Sequence, residues 1–215
     1  MVSGNDSRDK LIALLQLAYS GELAAAHAYR GHWHSVRQAD ERESIRKIED
    51  DEWRHRKLVG EMLAGLGAGP SSRREMRAAI IGRTLGLLCH VTGWLAPMYG
   101  AGKLESRNIK EYETAARYAR DCGCDDLIDC LLEMAEVEWD HEFYFRSRVE
   151  EHVLGRLLPL WPQPPPKETI RLTLELEPMS SSLQANSPHV RERSAKSRRD
   201  EMFIAPREQD ISQAP

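Results

Sequence analysis

Two tetrapeptides constrain this chain more than any other feature: Glu52-Trp53-Arg54-His55 and Glu138-Trp139-Asp140-His141. Each lies on an apolar rhythm of helical period. The first runs through Ile45, Ile48, Glu52, His55, Val59, Met62 and Leu66, the second through Leu127, Leu131, Met134, Glu138, His141 and Phe145. In both, a Glu and a His three residues apart take steps where burial calls for apolar side chains. A buried carboxylate is costly unless it is paired or bound to a metal, so two such violations at matching places predict a site. With 8 His and 22 Glu in 215 residues, roughly one Glu-x-x-His arises by chance. With only five Trp in the chain, a single Glu-Trp-x-His is about a 2% event. Two of them, each on a helical stripe, predict an internally duplicated helix pair.

A duplicated pair calls for an inward carboxylate on each preceding helix. The first helix, predicted from Arg8 to Ser35, carries Glu22 on the stripe Leu11, Leu15, Ala18, Ala25, Tyr29 and Trp33. In the third segment, Glu105 keeps register with Met98, Ala101, Tyr112 and Ala116, whereas Glu111 and Glu113 do not. The predicted ligand set is therefore Glu22, Glu52, His55, Glu105, Glu138 and His141. Four carboxylates and two imidazoles from four helices match the ligand set of di-iron and di-manganese carboxylate bundles. Residues i and i+3 share a helix face, so each Glu-x-x-His gives one metal its His while its Glu points between the metals. Glu22 and Glu105 would be terminal ligands. Oxygen and imidazole donors suit two iron ions, with manganese as the other candidate, and not a thiolate site. Tyr29, Tyr112 and Asp51 are candidates to hydrogen-bond the ligands from behind.

The rest of the chain reads as all-α over residues 1–158. Asp40 with Glu43 resembles a capping pair for a second helix ending at Gly67-Ala68-Gly69-Pro70, and Ser72 with Glu75 a capping box for the third segment. That segment is expected to break near Pro97, Gly100 and Gly102 and to resume through Ala119. A fourth helix spans about Asp126 to His152. Prolines 159, 162, 164, 165 and 166 predict a linker, and alternation of Ile170, Leu172, Leu174 and Leu176 predicts one strand. Residues 178–215, poor in large apolar groups, are expected to be a disordered C-terminal tail. Between Arg83 and Lys103 the only titratable side chains are His90, Cys89 and Tyr99. This stretch is long enough for a membrane span, but its glycines and proline favour a buried or interface-touching helix. Acids and bases interleave at a net charge of −4, which excludes the basic footprint of a nucleic-acid binder. Cys89, Cys122, Cys124 and Cys130 make no disulfide framework and no zinc spacing. With no apolar run at the N-terminus to serve as a secretory signal, a cytoplasmic setting is expected. His32 and His34 flank Trp33 and read as surface or subunit contacts.

The run Ser20-Gly-Glu-Leu-Ala-Ala-Ala-His-Ala-Tyr-Arg-Gly31 resembles the first-helix motif of the demethoxyubiquinone hydroxylases of quinone biosynthesis, with Glu22 at the ligand position. The run from Ile81-Gly82 through Glu105 to Tyr112 is similar to that family's third helix, and the resemblance covers about residues 10–150. It implies a ferritin-like antiparallel four-helix bundle with one long crossover, a di-iron centre, and O2-dependent hydroxylation of a hydrophobic aromatic or quinone-type substrate. It also implies an external electron donor and peripheral contact with the inner face of a membrane through residues 84–102. A homodimer is compatible with it. Where that family often carries a second His before the tyrosine, this chain has Glu111. Two other functions are open to the same residues: a rubrerythrin-like peroxidase or iron-handling ferroxidase, and a non-catalytic bundle stabilised by metal.

Overall fold

The computed structural model describes residues 4–176, whose regular segments are six α-helices and two short 3-10 helices. The α-helices are α1 (Gly4–Ser35), α2 (Ala39–Gly65), α3 (Ser72–Leu88), α4 (Leu95–Asp121), α5 (Ile128–Glu151) and α6 (Thr169–Leu176). No strand occurs among the described residues.

The core falls into two apolar clusters, and the four long helices cross both. One cluster holds Leu11 and Leu15 of α1, Val59 and Leu63 of α2, Ile109 and Ala116 of α4, and Leu131 and Met134 of α5. The other holds Ala25 and Tyr29 of α1, Ile45 and Ile48 of α2, Met98 and Ala101 of α4, and Phe145 and Val149 of α5. Residue order along each helix fixes direction. Helices α1 and α5 run from the first cluster to the second, whereas α2 and α4 run from the second to the first. The pairs α1/α2 and α4/α5 are therefore antiparallel. Because α2 and α4 point the same way, the chain must return between them, and α3 makes that return packed along α1.

The contact between α1 and α3 depends on missing side chains. A Cβ at Gly31 would meet the backbone of Gly86 at 2.3 Å, and one at Gly82 would meet the carbonyl oxygen of Ala24 at 2.3 Å. Backbone contact this close leaves the outer face of α3 in solvent, with Met76, Ile80 and Leu87 63%, 60% and 70% exposed.

Several local expectations give way to tertiary structure. The uncharged stretch 84–102 is not one helix: α3 ends at Leu88, and Gly93, at φ 79°, takes part in the turn before α4. Pro97 does not interrupt α4 but stands in its first turn, where a missing N–H breaks no helical bond. No side-chain cap closes α2 or α3. Glu75 accepts instead from Ser20 and Arg56, binding α3 to α1 and α2. Among the described residues, α1 has a stretch (Asn5–Ser35) long and apolar enough by length and composition to cross a membrane. Its apolar stripe is nonetheless in the core, with Leu11 and Leu15 fully buried.

The helical unit also runs past the expected boundary at residue 158. Trp161 is buried; its indole N–H donates to Glu142 (2.6 Å), which also pairs with Arg146 (2.6 Å), and Arg146 donates to the Trp161 carbonyl oxygen (3.2 Å). A Cβ at position 102 would strike the Trp161 ring at 2.3 Å, so Gly102 makes room for it. Residues 169–176 form a helix rather than the expected strand. Ile170 and Leu174, one helical turn apart, enter the core while Leu172 is half exposed. Alternation with period two and a pair at i, i+4 coincide in so short a run, and the partner surface on α4 and α5 decides between them. The expected tail, 178–215, lies outside the described residues.

A helix over 169–176 has a measurable consequence. Ile170→Ala should lower the unfolding free energy by about 2–4 kcal/mol, read from urea denaturation. Leu172→Ala should stay within about 0.5 kcal/mol; equal losses at the two positions would contradict the helix.

Candidate metal centre

All six predicted ligands converge where the two apolar clusters meet. Glu52, Glu105 and Glu138 have no exposed surface, and Glu22, His55 and His141 keep 5% or less. They form two overlapping groups, one of Glu22, Glu52, His55 and Glu138, the other of Glu52, Glu105, Glu138 and His141. Within each group the ligand atoms lie within 4.8 Å of one another. Glu52 and Glu138 belong to both groups, as the duplicated Glu-x-x-His pattern requires of shared ligands.

The helix pairs reach across to each other. His55 Nδ1 of α2 lies 3.1 Å from Glu138 Oε1 of α5, and His141 Nδ1 of α5 lies 3.5 Å from Glu52 Oε1 of α2. Tyr29 of α1 donates its hydroxyl to Glu105 of α4, while Tyr112 of α4 donates to Glu22 of α1. Each tyrosine follows its own helix's glutamate by two turns and serves the glutamate of the other helix. Asp51 Oδ2 lies 3.3 Å from His141 Nε2, on the far side of the ring from the other carboxylates. A carboxylate there fixes the ring orientation of a metal-binding histidine.

Three neighbours carry no signal in the sequence. Asn108 donates to Glu105 at 2.9 Å, one turn along α4. Glu111, off the stripe by register, is half-buried, and its carboxyl is pushed up by burial and by the charge of Glu138. His32 is not a surface residue but 2% exposed, because it lies three residues beyond Tyr29 and shares its face. Trp53 and Trp139 stay outside the centre: Trp53 donates to Glu49 and Trp139 to the Pro165 carbonyl oxygen.

The electrostatics follow from crowding. Burial, then the charges of Glu52 and Glu138 respectively, push Glu22 and Glu105 well above the carboxylate range. Glu138 is held below that range against its burial, because His141 and His55 hydrogen-bond to it. Against their own burial, His141 is raised well above the histidine range by Asp51, Glu138 and Glu52, and His55 is raised by Glu138. Without a metal, protons on these groups supply the countercharge.

Several polar atoms nonetheless lack a well-formed hydrogen bond: Glu22 Oε2, both oxygens of Glu52, Glu138 Oε2, and His141 Nδ1, which lies 3.4 Å from Glu138 Oε2 and 3.5 Å from Glu52 Oε1. Unpaired buried carboxylate oxygens are rare because each loses its hydration without replacement. Here they face one another across two groups of four, which fits a metal centre. Four carboxylates with neutral imidazoles also balance two divalent cations in charge.

Beside the centre, a cavity of about 480 Å3 lies between α1, the end of α3 and the start of α4. Buried Tyr29, His32 and Ala101 line it, as do Leu85, Leu88 and Leu104. Tyr29 thus stands between the cavity and Glu105. At the other end of the molecule, Cys122 and Cys124 sit in the turn after α4 with their sulfurs 3.2 Å apart, far from a ligand set.

No family model matches this chain, and no curated protein or solved structure is significantly similar to it.

The direction of these shifts sets the pH response of the metal-free protein. Raised histidines stabilise the fold fully below their ordinary value of 6.5 and lose that contribution as pH rises through the folded values. Raised Glu22 and Glu105 act in the same direction, since their neutral forms fold best and ionise only at a cost above 4.5. The melting temperature of metal-free protein should therefore fall from about pH 6.5 towards about pH 9, with added divalent metal abolishing the decline. A metal-free melting temperature that rises over this interval would contradict the charge balance.

Proposed function

We propose that the chain is a ferritin-like di-iron carboxylate oxidoreductase that activates O2, and that its reaction is hydroxylation of a hydrophobic aromatic or quinone-type substrate. The observation that carries this reading is the pair of overlapping ligand groups, rich in unpartnered oxygens, beside an apolar cavity. Iron suits an oxygen-and-imidazole donor set, and manganese is the nearest substitute. Glu52, Glu138, His55 and Glu22 would hold one ion, and Glu52, Glu138, His141 and Glu105 the other. Bound iron supplies redox chemistry towards O2, with electrons from an external donor.

The protein's own residues then have defined tasks. Asp51 fixes the His141 ring so that Nδ1 faces the carboxylates. Tyr112 and Tyr29 each hold a proton on the hydroxyl that meets Glu22 and Glu105, and so orient the terminal carboxylates. Tyr29 also borders the cavity while donating to Glu105, and so links a substrate there to the terminal carboxylate. The apolar clusters on either side, closed by Leu15 and Phe145, exclude bulk water, which strengthens every charge interaction within.

The cavity favours hydroxylation over iron storage or peroxide removal, since neither of those needs room for an apolar organic molecule. It likewise favours an enzyme over a metal-stabilised scaffold. The outer face of α3 adds a route for such a substrate. Exposed Met76, Ile80, Ile81 and Leu87, with Val91 in the turn just past the helix, are accompanied by exposed Arg73, Arg74 and Arg77, a composition suited to an interfacial helix on an anionic membrane. We take this face, with residues 84–102, as the peripheral membrane contact.

Anaerobic Fe(II) titration followed by O2 tests the reading. Two irons per chain with rapid O2 consumption are expected, and Glu138→Ala, which removes a shared ligand, should cut iron binding at least tenfold. Undiminished iron in Glu138→Ala would refute the ligand set, and stoichiometric binding without O2 consumption would refute the oxidoreductase.

A further inference from the structure

The turn that closes α4 sets two thiols side by side. On a continuing helix, residues two apart point to different faces, but here Gly123, at φ 74°, turns the chain back. Its N–H donates to the Arg120 carbonyl oxygen (3.1 Å), and the Cys124 N–H donates to that of Ala119 (2.8 Å). These are the paired bonds of a helix end closed by glycine. Cys122 and Cys124 flank the glycine, and the Cys122 S–H donates to Cys124 Sγ at 3.2 Å. The two sulfurs need approach by only about 1 Å to bond. Both are free thiols that keep part of their surface. Cys124 also lines a cavity of about 410 Å3, together with Leu58, Met62, Leu66, Leu127 and Cys130.

We propose that Cys122 and Cys124 form a dithiol–disulfide couple that exchanges two electrons with a small organic disulfide entering at Cys124. The couple is separate from the metal centre and stands whether or not that centre reacts with O2. Cys124 is the entry sulfur because it borders the cavity, whereas Cys122 does not. The protons are placed accordingly. Burial and the hydrogen bond to Cys124 push the Cys122 thiol up to about 11, so Cys122 keeps its proton and offers it to Cys124. A thiolate is the attacking species, and the donated S–H favours it on Cys124. Cys124 attacks one sulfur of the disulfide, forming a mixed disulfide and releasing the first small thiol, which carries away the Cys124 proton. Cys122 then attacks Cys124 Sγ, and the second small thiol leaves with the Cys122 proton. Two protein thiols are oxidised to one bridge, and one small disulfide is reduced to two thiols. A bridge across one residue closes too short a loop to add much stability, and exposed bridges are readily reduced. The couple therefore runs in both directions and carries electrons without stapling the fold.

Incubation of the reduced full-length protein with 2-hydroxyethyl disulfide under nitrogen, followed by acid quenching, alkylation and peptide mass mapping, tests this. Wild type should lose two alkylatable thiols and two hydrogens in mass, with the bridge mapped between Cys122 and Cys124 and reopened by dithiothreitol. Cys122→Ser should stall as the mixed disulfide on Cys124, because the second step has lost its attacking sulfur. Cys124→Ser should form an adduct at Cys122 at least about tenfold more slowly than Cys122→Ser forms one at Cys124. Cys130→Ser should form the same bridge as wild type. Wild type that keeps all its thiols, or that stalls as a mixed disulfide, would overturn the proposal. So would a bridge from Cys124 to Cys130, or equal adduct rates at Cys122 and Cys124. Circular dichroism of each variant shows that it is folded when it reacts. The experiment needs neither iron nor O2, so its failure leaves the oxidoreductase reading standing, and failure of the iron titration leaves the couple standing.

Discussion

Four carboxylates share one dehydrated volume, and most of this structure can be understood as what that requires. The effective cost of burying one unpaired ion is several kcal/mol even after relaxation, so four acids cannot remain ionised together without countercharge. Two imidazoles and the shared protons of Glu22 and Glu105 meet the demand when no metal is bound. Apolar clusters on both sides hold the acids in place. Leu11, Leu15, Val59 and Leu131 at one end, and Ile45, Met98, Phe145 and Val149 at the other, are buried almost completely. Folding these clusters forces the acids together, because each long helix carries its ligand between its two apolar segments.

The duplicated plan is symmetric at the ligands and broken around them. Tyr29 and Tyr112 serve the glutamate of the opposite helix pair in the same way. Asp51 supports His141, but the matching position before Glu138 is Val137, which has no charge to offer His55. Surroundings differ further. Tyr112 is packed into the first core cluster with Ile109, Ala115 and Leu131, whereas Tyr29 borders the cavity. One half is closed and the other approachable, which is the asymmetry a centre needs if it is to be dry and still admit a substrate.

Helical periodicity makes the candidate ligands legible, because a charged residue on an apolar stripe is a local contradiction visible in the sequence itself. Glu22, Glu52, His55, Glu105, Glu138 and His141 all stand out in this way, and Tyr29 and Tyr112 follow from their places on the same stripes. Features that depend on what a segment packs against do not. The strand expected at 170–176 becomes a helix because α4 and α5 receive Ile170 and Leu174 on one face. Glu75 gives up its expected cap for Arg56, since an ion pair tying three helices has no signature in a local motif. The break expected near Pro97 falls earlier, because α3 must end at Leu88 for α4 to begin with Met98 and Glu105 facing inward.

His32 shows where periodicity stops being informative. On a helix the step from Tyr29 to residue 32 is as favourable for burial as the step to Trp33, and a histidine beside a tryptophan looks like surface when no partner is known. The burial of His32 comes from Phe145, on a helix distant in the chain, and from the close approach of α3 that Gly31 and Gly86 permit. The same glycine contact that leaves the apolar face of α3 in solvent also brings Leu85 and Leu88 to the cavity wall. A larger residue at Gly31 would push α3 outwards and move that wall away from the ring. The surface that meets solvent and the cavity beside the candidate metal centre are thus two consequences of one backbone contact.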